Sequence, residues 1–321
     1  MEAAMNTSIR SWRPSMRACA ALALAGALSV VHAQTPPRPP IVKEGITVKI
    51  SEHVWVIPDE KVPMVPNVGI VVGSRATLVV DPGMGLKSGR AVLNEVSKVS
   101  RNSELYILNT HFHPEHTTGE AAFSASTKIF RPAAQQQDVD EMGMKWVNIF
   151  RSRSPMIADV LKGITSFRAP DETFELEKII DLGGVRVRMV WLGPGHTRGD
   201  SIIVVEGEGV MFSGDLAMKQ LYPAFATPQS SARNWLVALD RMDTYKATKL
   251  VPSHGEMADA SIIGAYRDYL KALQARTTEL KREGKSVDET SKALTSEFSA
   301  KYRDWDQPAR IAGAVAVMYA E

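Results

Sequence analysis

The chain has 321 residues, 38 Lys and Arg against 36 Asp and Glu, a formal charge of +2 and one cysteine. Charges this nearly balanced lack the basic excess with which a nucleic-acid-binding protein meets phosphates, and a single thiol allows neither an internal disulfide nor a thiolate metal cluster. At this length one large domain can bury a core without covalent staples.

Arg10, Arg13 and Arg17 precede an apolar run over 18–31, and Val31-His32-Ala33 before Gln34 has the small residues of a signal-peptidase site. The order predicts a secretory signal over 1–33, cleaved near Ala33, and a periplasmic or secreted protein. The run is shorter than the roughly 20 residues of a bilayer span, and proline, not a stop-transfer pattern, follows it. Cys19 lies at the start of the run and not after it, which argues against a lipid anchor, so no stable membrane anchor is expected after cleavage. The leader takes three arginines and one glutamate with it, leaving 35 cationic and 35 acidic side chains and no cysteine. Residues 34–45, with Pro36, Pro37, Pro39 and Pro40, read as an extended arm.

Ile46, Val48 and Ile50 alternate with polar residues, 54–57 continue as a strand, and 70–72 with 77–80 flank the hairpin signal Gly73-Ser74. Asp81-Pro82-Gly83 closes that hairpin, and Val92, Leu93, Val96 and Val99 recur at helical spacing. An apolar run then ends in Asn109-Thr110-His111-Phe112-His113-Pro114-Glu115-His116, three imidazoles and a carboxylate within six positions. Such donors suit a borderline metal such as zinc, and a turn off a strand end can aim them at one point. Alone, H-x-H is a weak motif. Three more donors follow at Gly195-His196-Thr197, Ser213-Gly214-Asp215 and Pro252-Ser253-His254-Gly255, each after an apolar strand-like run.

Between them, 127–130 is a short strand, and 133–170 forms a helix-compatible insert carrying Met142, Met144, Trp146, Phe150 and Met156, which would pack a core or overhang a site. Phe174, Leu176, Ile179 and Ile180 lead to Gly183-Gly184 and an alternating partner from Val185 to Trp191. Another hairpin turns at Gly207-Glu208-Gly209, Trp235, Leu236, Leu239 and Met242 mark a helix, and Leu250-Val251 a last strand. Hairpins followed by a helix, twice over, predict an α/β (α+β) fold in which two sheets pack face to face with helices outside, an αββα four-layer sandwich over 46–258. Residues 259–321 read as a helical extension, with an apolar face at Ile262, Ile263, Tyr266, Leu270 and Leu273, a stop at Gly284 and a capping box at Ser286 and Glu289. It would cover the sandwich or carry a dimer contact, and the oligomeric state stays open.

In the order of these donors the chain resembles the metallo-β-lactamase-fold superfamily of metallohydrolases, whose signature is H-x-H-x-D-H followed by single His, Asp and His ligands. The resemblance implies one metal on His111, His113 and His196, a second on Glu115, His116 and His254, and Asp215 bridging them, with two zinc ions per chain expected and a single metal or iron as alternatives. Glu115 departs from the family's aspartate by one methylene. The resemblance further implies that Asp81 hydrogen-bonds the ligand loop. It also implies that the insert supplies a substrate wall, to which we assign Trp146, Phe150 and Tyr222.

The activity implied is that of an exported metal-dependent hydrolase of a small molecule, in which a metal-bridging hydroxide opens a lactone, ester, thioester or β-lactam-like carbonyl, with phosphate and sulfate esters also in range. Glu115 or Asp215 would orient the hydroxide and carry its proton. Asp215 stands where zinc β-lactamases have Cys or Ser, which is more like the glyoxalase II, lactonase and phosphotriesterase-like branches. Two alternatives remain: a mononuclear-iron persulfide dioxygenase-like enzyme, and a non-catalytic metal-binding accessory protein.

Overall fold

A computed structural model describes residues 38–321, so the expected leader and its cleavage point near Ala33 lie outside the described residues. Strands β1 (Val48–Lys49), β2 (Val54–Ile57), β3 (Val68–Val72) and β4 (Ala76–Val80) form an antiparallel meander. Helix α1 (Gly85–Val99) then carries the chain to β5 (Glu104–Leu108), which pairs parallel with β4, Val80 opposite Leu108. One helical turn, α2 (Pro114–Thr117), and a 3₁₀ turn follow, and β6 (Lys128–Pro132) and β7 (Glu172–Phe174) extend the sheet in parallel to seven strands. The insert between β6 and β7 consists of α3 (Ala133–Asp138), a π-helical turn, α4 (Met144–Arg153) and α5 (Pro155–Val160).

The second sheet has five strands in the order β12-β11-β10-β9-β8: β8 (Glu177–Asp181), β9 (Arg186–Trp191), β10 (Ser201–Val205), β11 (Val210–Gly214) and β12 (Lys249–Pro252). Its pairs are antiparallel except β11 with β12, which helix α6 (Ala232–Asp243) connects. Phe174, read from the sequence as leading into the second half's hairpin, instead ends the first sheet, and the chain crosses between sheets within 174–177.

Every residue of β4, β10 and β11 is buried, the continuous pattern of strands covered on both faces. Val56, Leu78, Val80 and Leu108 from one sheet meet Val187, Ile203, Val205 and Phe212 from the other in the layer between them. Val92 and Val96 of α1 close the outside of the first sheet on Ile70, Val79 and Ile107. The outside of the second sheet is closed by α6 together with α7 (Ser261–Arg282), α8 (Val287–Lys301) and α9 (Arg310–Ala320), so the C-terminal extension shares one apolar cluster with the sandwich. Between α7 and α8, Gly284 takes φ +81°, and Ser286 and Glu289 form a reciprocal capping box. Among the described residues no helix is long and apolar enough to cross a membrane.

Candidate metal centre

Five strand ends meet at one edge of the sandwich: Asp81 follows β4, the histidine turn follows β5, and His196, Asp215 and His254 follow β9, β11 and β12. Pro114 starts α2, where its fixed φ suits a helix and its missing N–H leaves nothing unpaired. The turn is then held on both sides, with Thr117 Oγ1 donating to the His113 carbonyl at 2.9 Å and Asn109 Nδ2 to that of His116 at 2.9 Å. Gly119 lets it lie against the Asp81 turn, because a Cβ there would stand 2.3 Å from the Pro82 carbonyl oxygen.

Hydrogen bonds fix which nitrogen each ring offers. A carbonyl only accepts, so His254 Nδ1–H donates to Val65 at 2.9 Å, and His196 Nδ1–H likewise to Ala224, leaving both Nε2 lone pairs free. His116 Nδ1 lies 3.1 Å from Asp81 Oδ2. Thr110 Oγ1 gives its proton to the same oxygen at 2.8 Å and therefore accepts from His111 Nδ1 at 3.2 Å. His111 Nε2 and His196 Nε2 then converge on His113 Nδ1, at 3.1 and 3.2 Å. A cation among the three would take all three lone pairs, whereas without one a proton on His113 Nδ1 bridges the other two rings.

The candidate ligand atoms of His111, His113 and His196 lie within 4.8 Å of one another, as do those of Glu115, His116 and His254, and a third such group joins Asp215 to His111 and His116. Asp215 spans the two sets: Oδ2 is 3.4 Å from His196 Nε2 and Oδ1 is 3.9 Å from His254 Nε2. Glu115 is only 7% exposed, so it is not a surface glutamate ending the turn. Glu115 Oε2, His116 Nε2 and Asp215 Oδ1 are buried without a hydrogen-bond partner, a costly state that a divalent cation relieves. The donor set fits such an ion.

Burial pushes the His111 and His113 imidazoles well below their usual range and lowers His196, which favours neutral, ligating rings. Burial opposes the charge of Asp215 too, but His196 and His254 outweigh it and hold its carboxyl far below the carboxylate range. The Glu115 carboxyl moves up with burial, against the pull of His116 and His254. His116 keeps its proton against burial because Asp81 faces it, and is pushed up to about 9.

Asp81 is the hub behind the donors. It accepts from Thr110 N and Thr110 Oγ1, each at 2.8 Å, and its Oδ2 is also 3.4 Å from Ser253 Oγ, beside His254. Its backbone sits at φ +53°, a left-handed conformation unusual outside glycine. Asp200, not singled out in the sequence, serves the His196 loop similarly: Oδ2 accepts from the backbone N–H of Gly195, His196 and Thr197 at 3.1, 2.6 and 2.9 Å. Three successive N–H groups closing on one carboxylate are a turn signal that Gly195-His196-Thr197-Arg198-Gly199-Asp200 carries in plain view.

The donors face a cavity of about 920 Å³ onto which His113, Glu115, His196, Asp215 and His254 open. Trp146 and Phe150 of α4 line it, Trp146 with its ring centroid 4.5 Å from that of His113. Tyr222 does not. It is fully buried among the C-terminal helices, donating to the carbonyls of Phe298 and Tyr302 at 3.0 Å each, because a buried phenol must find acceptors and those helices supply them. In its place the cavity receives Arg153 from the end of α4, Arg310 from the start of α9, and Met64 from the β2–β3 loop.

A model of the metallo-beta-lactamase superfamily matches residues 62–254, the span that carries all seven donors. The chain belongs to the metallo-beta-lactamase superfamily. It is 22% identical over 246 residues to the linear primary-alkylsulfatase of Pseudomonas sp. (strain ATCC 19151), an alignment covering 66% of this chain and 46% of that one, so the chain spans less than half of that relative's length. The fold is shared with a metallo-beta-lactamase from Pontibacter korlensis at TM-score 0.54 and 19% identity, covering 70% of this chain and 98% of that one. It is shared also with a stereoselective inverting sec-alkylsulfatase from Pseudomonas sp. at TM-score 0.63 and 15% identity, covering 85% and 49%. The family match covers the donors, and the likeness to the sec-alkylsulfatase is one of fold.

Proposed function

We propose that the protein hydrolyses an anionic ester with an apolar tail, a sulfate ester of the alkyl type foremost, with two zinc ions at the donor cluster. The observation that carries this reading is the make-up of the cavity in front of the donors. Arg153 and Arg310 both open onto it. Arg153 stacks on Phe150 at 3.8 Å, Arg310 donates to the Tyr222 carbonyl at 2.9 Å, and among the described residues neither has a carboxylate within ion-pair distance. Two guanidiniums without anionic partners beside Trp146, Phe150 and Met64 suit a substrate charged at one end and apolar at the other. The simple carbonyl esters and lactones expected from the sequence lack a fixed charge for that pair, and the names of the alkylsulfatase relatives agree with the choice of a sulfate ester.

When bound, the metals would supply a hydroxide at neutral pH and polarise the ester oxygens. Asp215, its carboxyl held far below the usual range by His196 and His254, stays ionised and would serve as an acceptor between the two donor sets. Glu115, its carboxyl raised by burial, is the group suited to take a proton from water and return it to the departing oxygen. The guanidiniums hold the anionic head, and the aromatic wall excludes water behind it. Water and ester give the alcohol and the free acid anion. We further propose that this takes place outside the cytoplasm, after removal of residues 1–33.

Metal analysis of the full chain, with turnover measured on an alkyl sulfate beside a neutral ester, a lactone and a β-lactam, tests the reading. The expected result is two zinc ions per chain and preference for the alkyl sulfate, with His196→Ala losing metal and turnover together. Iron near one per chain with oxygen consumption, or metal without turnover of any of the four, would overturn it.

A further inference from the structure

The loop between β2 and β3 and the loop that carries His254 are far apart in sequence and bound together in space. Asp59 is 6% exposed and accepts at both carboxylate oxygens, from Lys61 N at 3.0 Å and from Gly255 N at 2.7 Å. Its own N–H donates to Asn67 Oδ1 at 2.9 Å, and Asn67 Nδ2 donates in turn to the carbonyls of Pro252 and Gly255, each at 2.8 Å. Asn67 N donates to the Ser253 carbonyl at 2.7 Å. Every residue of 252–255 is thereby tied to this one loop, His254 through its Nδ1–H on the Val65 carbonyl. The loop holds an unusual backbone to do so: Glu60, Lys61 and Met64 take φ of +53°, +57° and +64°, left-handed conformations that non-glycine residues keep only where their surroundings impose them.

We propose that Asp59, with Asn67, is a positioning residue for His254, and that this strap sets how tightly the second metal position, that of Glu115, His116 and His254, is filled. The inference rests on the two-metal reading above and goes beyond it. Neither side chain is within the donor cluster, so the action is through another residue. Asp59 fixes Gly255, the neighbour of the ligand, while the Val65 carbonyl fixes the tautomer and orientation of the ligand itself. Groups holding a metal-bound histidine in this way change metal affinity by roughly 10- to 100-fold when removed. Among the described residues no hydrogen bond joins residues 58–67 to the turns that carry His111, His113 and His196, the donors of the other position. Its loss is therefore selective.

The experiment is a zinc titration of the metal-free full chain against a competing chelator, repeated with cobalt to follow the visible spectrum of each position, on wild type and Asp59→Asn. An amide accepts at one end only, so this variant loses one of the two bonds while keeping its shape. The expected result is two equivalents in wild type and, in Asp59→Asn, a first equivalent of unchanged affinity with a second weakened about 10- to 100-fold, with the metal-free protein melting at the wild-type temperature. A second equivalent of wild-type affinity in the variant overturns the proposal. So does equal weakening of both equivalents with a lowered metal-free melting temperature, which marks a general structural role. One equivalent in wild type overturns the two-metal reading and this inference with it, before any variant is made. Should Asp59→Asn not fold, Asn67→Ala, which cuts the same loops apart at Pro252 and Gly255, carries the same expectations.

Discussion

His116 is asked to be two things. Without metal it is a buried cation held by Asp81 up to about 9, although burial works against its charge, and with metal it must be a neutral ligand. A histidine whose folded value is raised contributes stability that is fully present below its unfolded value of 6.5 and is lost as pH rises through about 9, so the metal-free protein loses this pair's contribution across that window. Metal uptake at this position then expels a proton anywhere below pH about 9. Apparent affinity is expected to rise with pH up to that point, by at most about tenfold per unit. Calorimetric titration in two buffers of different ionisation enthalpy measures the released proton, and a pH-independent affinity between 6 and 9 would show that Asp81 does not hold it.

At the scale of elements, the additions to the sandwich give the site its chemical character. The donors sit on the loops of β5, β9, β11 and β12, whereas Arg153 comes from the insert and Arg310 from the extension. Losing one charged hydrogen bond costs roughly 1.5–3 kcal/mol, so Arg310→Met is expected to raise KM for an alkyl sulfate about 10- to 100-fold and leave a neutral ester unaffected. Equal effects on both substrates would assign Arg310 to packing against Tyr222 alone. The contrast also explains what could be read in advance. His111, His113, Glu115 and His116 announce themselves because one turn holds them all, and His196, Asp215 and His254 because each ends an apolar run. Arg310 follows Pro308-Ala309 at a helix start with no local mark of its role, which depends on where α9 packs. Tyr222 stands near Asp215 in sequence, and only the docking of α8 decides that it turns inward to Phe298. Asp59 looks like any turn aspartate, since its partner Gly255 lies 196 positions away.

For the molecule as a whole, the alternation of hairpin and helix was enough to give the two sheets and the layers outside them, because burial of alternate faces leaves few other ways to pack such elements. What it did not give was the edge: β7 is a three-residue strand with no buried position, and nothing in Glu172-Thr173-Phe174 distinguishes joining the first sheet from starting the second.

The bond from Ser253 to Asp81 closes a separation of 172 residues, and the donors beside those two residues come from both halves. Contacts of such long range are expected to form late, because the loop entropy between them must be paid first, and the complete donor set is then absent from most of the folding route. A metal then cannot act as a nucleus for folding. It acts as a latch on the finished molecule, and interactions missing from the transition state slow unfolding without speeding folding. In stopped-flow denaturant jumps, zinc is expected to lower the unfolding arm of the chevron and leave the refolding arm where it is, so that the ion governs how long a folded molecule lasts and not how quickly it is made.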